Sequence, residues 1–531
     1  MSLAETCAWT LARTVTLCLL AWPVALGLER SLRSASDAFR PWLLAGVLAP
    51  FCFPELLVGF AFRDFALAHP EWAEALCNGL LFVRIVPVGA CALLAAPHRK
   101  LNSAAIHCRW LLLRRMGTPA RPTCRNRIDP ATTGDREQST EPRWTGRSAH
   151  PTHHWYELAR CYWHGPIARA LPALALMSLI AFQEFETAAL LQTMSWTDWF
   201  VAAQRVGLDR TEMLSKSLWP MLLQLPVLFG VMRWLSRTPD GDRDDTSFDY
   251  ADSHSPRHRT MTRLMIVYIA GAGIAGCLIP LGLIGWRAVD GFGLLLRQHT
   301  QQLGLIREIG TAGSVALCAG IAAWTLSGRS SRSPLRGLLL PGLFGSLLLS
   351  LCLVATFQQS WLRPLYDTPL PWVIALTLWL LPRAAILRVW LQAARPSEAV
   401  HLAEMAVRAM SNEQRAMREM RGSRALIAQY SVLSTQYSSL IAHRSSLIAL
   451  LWRLRDEPRF LAVSLLCFWA YCDLPTAYLL APSGMASGLV RLYNFMHYGR
   501  SAALSVEAIL FFGTPILIAI NALVMTRYWR H

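Results

Sequence analysis

Glu184-Phe185-Glu186-Thr187-Ala188-Ala189-Leu190-Leu191 is followed, 289 residues later, by Asp473-Leu474-Pro475-Thr476-Ala477-Tyr478-Leu479-Leu480. In each stretch a carboxylate stands inside a long apolar run, with Thr-Ala three residues on and an aliphatic pair beyond it. A carboxylate in a membrane-spanning segment costs about 3 kcal/mol on insertion scales, so its appearance twice in register points to duplication of a membrane unit. Pro50 and Pro341, and Pro87 and Pro382, pair in the same sense at offsets of 291 and 295.

Composition agrees with a membrane setting. Of 531 residues, 53% are hydrophobic and only 16% are charged, which places the chain in the polytopic class. Stretches of roughly 20 apolar residues, the length that crosses a bilayer, occur near 9–28, 41–62, 75–97, 170–193, 218–236, 263–286, 311–327, 337–357, 369–393, 460–481 and 506–526. The expected fold is therefore all-α and polytopic, with about eleven transmembrane helices: two parallel five-helix repeats and one linking helix. The expected division is a first half over 1–236 with an inner loop near 98–169, a charged linker over 237–262, and a second half over 263–531 with an inner loop near 394–459. Arg13 and the apolar stretch through Leu28, with no small-x-small exit, read as a retained span rather than a cleaved leader.

The net charge of +17 is an arginine charge, since Lys100 and Lys216 are the sole lysines. With 98–169 inside, the inner loops hold about 35 Arg or Lys and the outer loops about nine. That asymmetry sets topology and removes the need for a nucleic-acid ligand. It predicts an amino terminus outside and a carboxyl terminus in the cytoplasm. The thirteen cysteines form no Cys-x-x-Cys pair, so neither a zinc ribbon nor a redox motif is expected.

Several residues invite a functional reading. Glu184 and Asp473, with Thr187 and Thr476, are candidates for a translocation pathway or gate; the plain alternative is that each acid locks helix packing. Glu186, two residues on, is expected to face another side of its helix. Arg383 and Arg388 are expected to snorkel to the inner interface, and Glu507 and Asn521 to hydrogen-bond neighbouring helices. Gly271-Ala-Gly273-Ile-Ala-Gly276 matches a dinucleotide string, but its apolar setting reads as small residues for helix contact. His150, His153, His154 and His164 lack metal-ligand spacing and read as a solvated loop; a membrane enzyme built on them is the remote rival. Two outer segments, Trp196–Lys216 and Gly291–Gly310, look amphipathic and interfacial. There is no Walker loop, Gly-x-Ser-x-Gly or His-Glu-x-x-His string, so no catalysis, cofactor or bound metal is expected in this chain.

The segment Asp473-Leu-Pro-Thr-Ala-Tyr-Leu-Leu-Ala-Pro-Ser-Gly484, followed by Arg491-Leu-Tyr-Asn494-Phe-Met-His497-Tyr498-Gly499-Arg500, resembles the second half of fused permease subunits of bacterial ABC importers, the iron(III)/thiamine type. Glu184-Phe-Glu-Thr-Ala-Ala-Leu-Leu is similar to the matching part of their first half. The resemblance implies a type I importer permease in the bacterial inner membrane, with Asn494 and His497 beside the pathway. It also implies partner ABC ATPase subunits on the cytoplasmic side and a periplasmic solute-binding protein, with ferric iron as the usual cargo association. The ATPase-coupling loops it implies are Glu157, Ala159, Gly165 and Pro172 in the first half, and Glu404 and Ala406 in the second. Both depart from the family pattern: Pro172 stands about four residues too close, and Met410 replaces the expected glycine. A diverged, non-transporting scaffold or sensor is the alternative.

Overall fold

The computed structural model describes residues 2–36, 39–96, 168–207, 210–236, 256–297, 299–329, 337–394 and 456–528, less Ser483, Ala486, Gly499 and Arg500, and singly Met405, Asn412 and Trp452. Among them there is helix and no strand. By its contacts the chain divides into a unit of Met1–Ala95 with Pro172–His531, and a second of Ala96–Leu171; the elements that follow concern the first.

Helix α1 (Leu3–Ser34) opens with a capping box, Ser2 accepting from the Glu5 amide while the Glu5 carboxylate takes the Ser2 amide. Next come α2 (Arg40–Cys52), α3 (Glu55–Ala68) and α4 (Pro70–Ala95). After residue 167 follow α5 (Ala168–Phe182), α6 (Glu186–Leu190), α7 (Trp196–Arg205) and α8 (Arg210–Ser236). A linking helix runs as α9 (Pro256–Gly273), a π turn at Ile274–Leu278, and α10 (Ile279–Arg297). Then α11 (His299–Arg329), α12 (Leu339–Leu343), α13 (Ser346–Phe357), α14 (Arg363–Tyr366) and α15 (Leu370–Ala394) lead to α16 (Glu457–Tyr471), α17 (Leu474–Leu480), α18 (Gly488–Tyr498) and α19 (Ser501–Tyr528).

This is an all-α membrane protein. Eight helices in the described residues are long and apolar enough to cross a bilayer, or ten if each of two bent pairs counts as one span. The expectation of eleven is not met at 337–357, where the apolar run is divided into α12 and α13, both too short to cross alone.

The bends have local causes. Phe53 precedes Pro54, whose ring disfavours helical backbone at the residue before it; Phe53 is extended (ψ 136°) and α2 meets α3 at 65°. Gly345 makes the comparable break between α12 and α13 by another route, with φ of +93°, which only glycine adopts without strain. Between α16 and α17, Asp473 is extended (ψ 99°) and Pro475 stands in the first turn of the new helix, the pair meeting at 53°.

Packing follows a consistent pattern. α1 lies along α4, and α11 along α15; α3 touches α6, and α13 touches α17. The linking helix packs its α9 part on α1 and α2, and its α10 part on α3 and α19. Close approach needs glycine at Gly342, where a Cβ would fall 2.0 Å from the Leu378 carbonyl oxygen. Of the glycines in the 271–276 string, Gly276 alone serves close contact, its Cβ position lying 3.0 Å from Pro50, while Gly271 and Gly273 face open space.

The second amphipathic segment differs from expectation. Residues 291–297 and 299–310 belong to the long helices α10 and α11, and the short amphipathic helix that matches α7 is α18. Glycine leads at both ends of the cost scale here: Gly345→Ala should lower the stability measured by denaturation in detergent by about 1–3 kcal/mol, because φ +93° with ψ 160° is a backbone region essentially reserved for glycine. Gly282→Ala, with nothing within 4 Å, should be neutral or slightly stabilising.

Candidate functional site

The two acids of the opening repeat stand at helix breaks and close open amides of the helix that follows, Asp473 as its N-cap and Glu184 from the residue before the N-cap Phe185. Glu184 Oε1 accepts from the Thr187 amide at 2.7 Å, and Asp473 Oδ2 from the Thr476 amide at 3.1 Å. Each short helix after a break begins with amides that have no intrahelical partner, and the carboxylate three residues earlier closes one of them. Glu184, Thr187, Asp473 and Thr476 are all buried. The structure therefore brings both expected acids to the same kind of position, with the threonines serving through their backbone amides.

Around them lies a charged cluster. Arg84 of α4 pairs with Glu55, the first residue of α3, and stands 3.6 Å from Glu184 Oε2. Glu186 lies within electrostatic range of Glu55, Asp473 and Glu184, and Arg383 of α15 within range of Asp473, Glu55 and Arg84. Four carboxyl groups thus face two guanidinium groups. Arg383 also lies 3.8 Å over the Trp379 ring and donates to the Trp379 carbonyl at 2.9 Å. It belongs to this interior rather than snorkelling to an interface. Arg388 likewise turns inward, donating to Ser327 Oγ at 2.7 Å and sitting 4.0 Å over Trp324.

Glu184 and Glu186 are both buried and both join the cluster, contrary to the helical-wheel expectation. The reason is the backbone: Phe185 (φ −127°, ψ −53°) is not helical, so the 100° spacing between neighbours does not apply across it. Glu186 Oε1 accepts from the Leu474 amide at 3.3 Å. The carbonyls left open by the break find partners at the start of α7: the Trp196 indole donates to the Phe182 carbonyl at 2.6 Å, and Thr197 Oγ1 to the Glu184 carbonyl at 2.7 Å.

Gln183 completes the site. Its Nε2 donates to Gln224 Oε1 at 2.6 Å and to the Leu343 carbonyl at 2.7 Å. Sequence reasoning passed over Glu55, Arg84, Gln183 and Gln224, although each is a polar residue inside an apolar run.

A second ionic group joins α18 to the spans beside it. Arg491 Nη2 stands 3.1 Å from Glu308 Oε2 on α11 and 3.3 Å from Glu507 Oε2 on α19, so Glu507 does engage a neighbouring helix. Asn521 instead donates to the Leu517 carbonyl of its own helix at 2.9 Å. Asn494 is exposed on α18, and His497 lies on the same helix; neighbouring Tyr493 reaches Phe185 with ring centroids 6.3 Å apart. Pro172 is buried within α5. Glu157, Ala159, Gly165, Glu404, Ala406 and the four histidines of 150–164 fall outside the described residues. Among the described residues, no three His, Cys, Asp or Glu side chains converge to hold a metal ion.

Comparison with protein-family models, curated proteins and solved structures finds no match for this chain.

The arginine should matter more than its partners taken together. Arg84→Ala leaves Glu55 and Glu184 without their cation and should destabilise the protein by about 3–5 kcal/mol. Adding Glu55→Gln should recover part of that loss. A double-mutant cycle on detergent denaturation midpoints measures the coupling, and additive effects would show that the pair is not coupled.

Proposed function

We propose that this chain is the membrane subunit of an ATP-driven solute importer, with both halves of the pathway in one polypeptide. The observation that carries the reading is the acid-capped break, Glu184 before Thr187 and Asp473 before Thr476, recurring in register. The order of elements around it lends further support. A helix of 32 residues, a broken pair, a helix of 26, an acid-capped break, an amphipathic helix of 10 and a final helix of 27 precede or lead up to the linking helix. After it the same order has 31, 25, 11 and 28 residues at the corresponding places. Such an arrangement suits two parallel copies about an axis along the membrane normal, with the charged cluster between them.

On this reading the pathway opens alternately to either side as the two copies rock, and Glu184, Asp473, Thr187 and Thr476 lie at its constriction. Asn494 and His497 lie towards its outer mouth. ATP is hydrolysed by separate subunits docking on the cytoplasmic loops that carry Glu157 and Glu404, and a periplasmic binding protein delivers cargo. The resemblance implies the inner membrane of a bacterium, and the arginine asymmetry supports an amino terminus outside and a carboxyl terminus inside. Ferric iron enters as the cargo that the resemblance implies; any small solute fits the reading equally.

A second reading, a non-transporting scaffold or sensor descended from such a permease, is favoured by the altered coupling loops, notably Met410 in place of glycine. Purification in mild detergent separates the two. An importer should retain an ATPase subunit, and Glu157→Ala or Glu404→Ala should lower its yield several-fold. A chain that carries no ATPase under any mild condition sinks the importer and leaves the scaffold.

A further inference from the structure

The segment Gln183-Glu184-Phe185-Glu186 comprises the non-helical link between α5 and α6 and the first residue of α6, and three of its four side chains reach across to elements beyond the linking helix. Gln183 closes the Leu343 carbonyl at 2.7 Å, where α12 ends. Phe185 meets Tyr493 of α18. Glu186 closes the Leu474 amide at 3.3 Å, where α17 begins. Glu184 alone turns back, to Thr187 and Arg84.

Leu343 and Leu474 are not arbitrary partners. One is the terminal carbonyl before the Gly345 break, the other the first amide after the Asp473 break, and both groups lack an intrahelical partner. The fit at Gly345 is close: a Cβ there would lie 3.0 Å from both Cδ and Oε1 of Gln183. Gln183 and Glu186, three residues apart, therefore hold both broken spans of the second series.

We infer that Gln183–Glu186 is a strap that clamps both breaks at once, so that they are released together when the two series part. The physical ground is geometric. The two hydrogen bonds originate three residues apart, at the two ends of one short link between helices, and a hydrogen bond fails when its heavy atoms move about 1 Å beyond the ordinary distance. A displacement large enough to break one breaks the other. In surroundings without water, open amides and carbonyls are costly, which disfavours a half-released strap. Under the importer reading, on which only this last clause rests, the strap makes the opening of the pathway all-or-none.

Hydrogen–deuterium exchange on the purified full chain in detergent tests the inference without any ATPase. In the wild type, residues 339–349 and 474–480 should both exchange slowly. Gln183→Ala or Glu186→Ala should each accelerate exchange in both segments by on the order of tenfold, the equilibrium worth of one buried hydrogen bond. Helices α1 and α15 should not change. Glu186→Gln, whose amide carbonyl still accepts from Leu474, should keep both segments protected. Should the alanine variants fail to fold, Gln183→Asn gives the same reading, since it keeps the polarity but withdraws the amide by one methylene. Acceleration confined to the segment whose bond was cut would show two independent caps and overturn the strap; acceleration throughout the chain would show a general loss of stability and overturn it too. If no ATPase co-purifies yet both segments still respond together, the importer falls and the strap stands.

Discussion

A backbone amide or carbonyl inside hydrocarbon must find its partner within the protein, and that requirement governs this molecule wherever a span is broken. The chain breaks its spans at Phe53, at Gln183–Phe185, at Gly345 and at Asp473. The partners supplied are specific side chains: Glu184 and Asp473 for amides, Trp196, Thr197 and Gln183 for carbonyls, Glu186 for an amide across the bundle. The polar residues of the interior are thus there first because the backbone is irregular. Their charge then requires Arg84 and Arg383, and the cluster grows from there.

Charge is found at more than one place. Arg13 pairs with Glu74 at 3.4 Å and donates to the Met194 carbonyl at 3.4 Å, tying α1 to α4 and to the turn before α7. Arg491, between Glu308 and Glu507, ties α18 to α11 and α19. Both short amphipathic helices are therefore fastened to neighbouring spans through an arginine, buried at Arg13 and half-buried at Arg491. The acids and arginines of the central cluster and of these two groups are mostly buried, where removing one partner costs far more than a surface pair would.

Much of this was legible in the residues. Of the eleven expected apolar runs, eight mark helices long enough to cross a bilayer and two more mark bent pairs, because the length of an apolar run is read directly from the residues. The acids at 184 and 473 stood out because a carboxylate in an apolar run is rare. What stayed hidden depends on backbone geometry. No periodicity announces that Phe185 leaves the helix, so Glu186 was placed on the wrong side. Gly345 was one glycine among many until its φ of +93° was known. Arg383 stands where snorkelling explains an arginine cheaply, and only the fold shows Trp379 and the acids around it. Gln183 carries no charge and sits beside a conspicuous glutamate, which is why its reach to Leu343 could not be read from spacing.

The π turn at Ile274–Leu278 has a consequence for the linking helix as a whole. A π turn inserts one residue into the α-helical phase, and each residue advances the phase by about 100°. The sector of α10 that meets α3 and α19 is thereby swung away from the sector of α9 that meets α1 and α2. One continuous rod can then serve neighbours on two different bearings, a dog-leg in azimuth with no bend in the axis required. The insertion lets a single helix lean on the opening helices along one half of its length and on the last helix of the chain along the other.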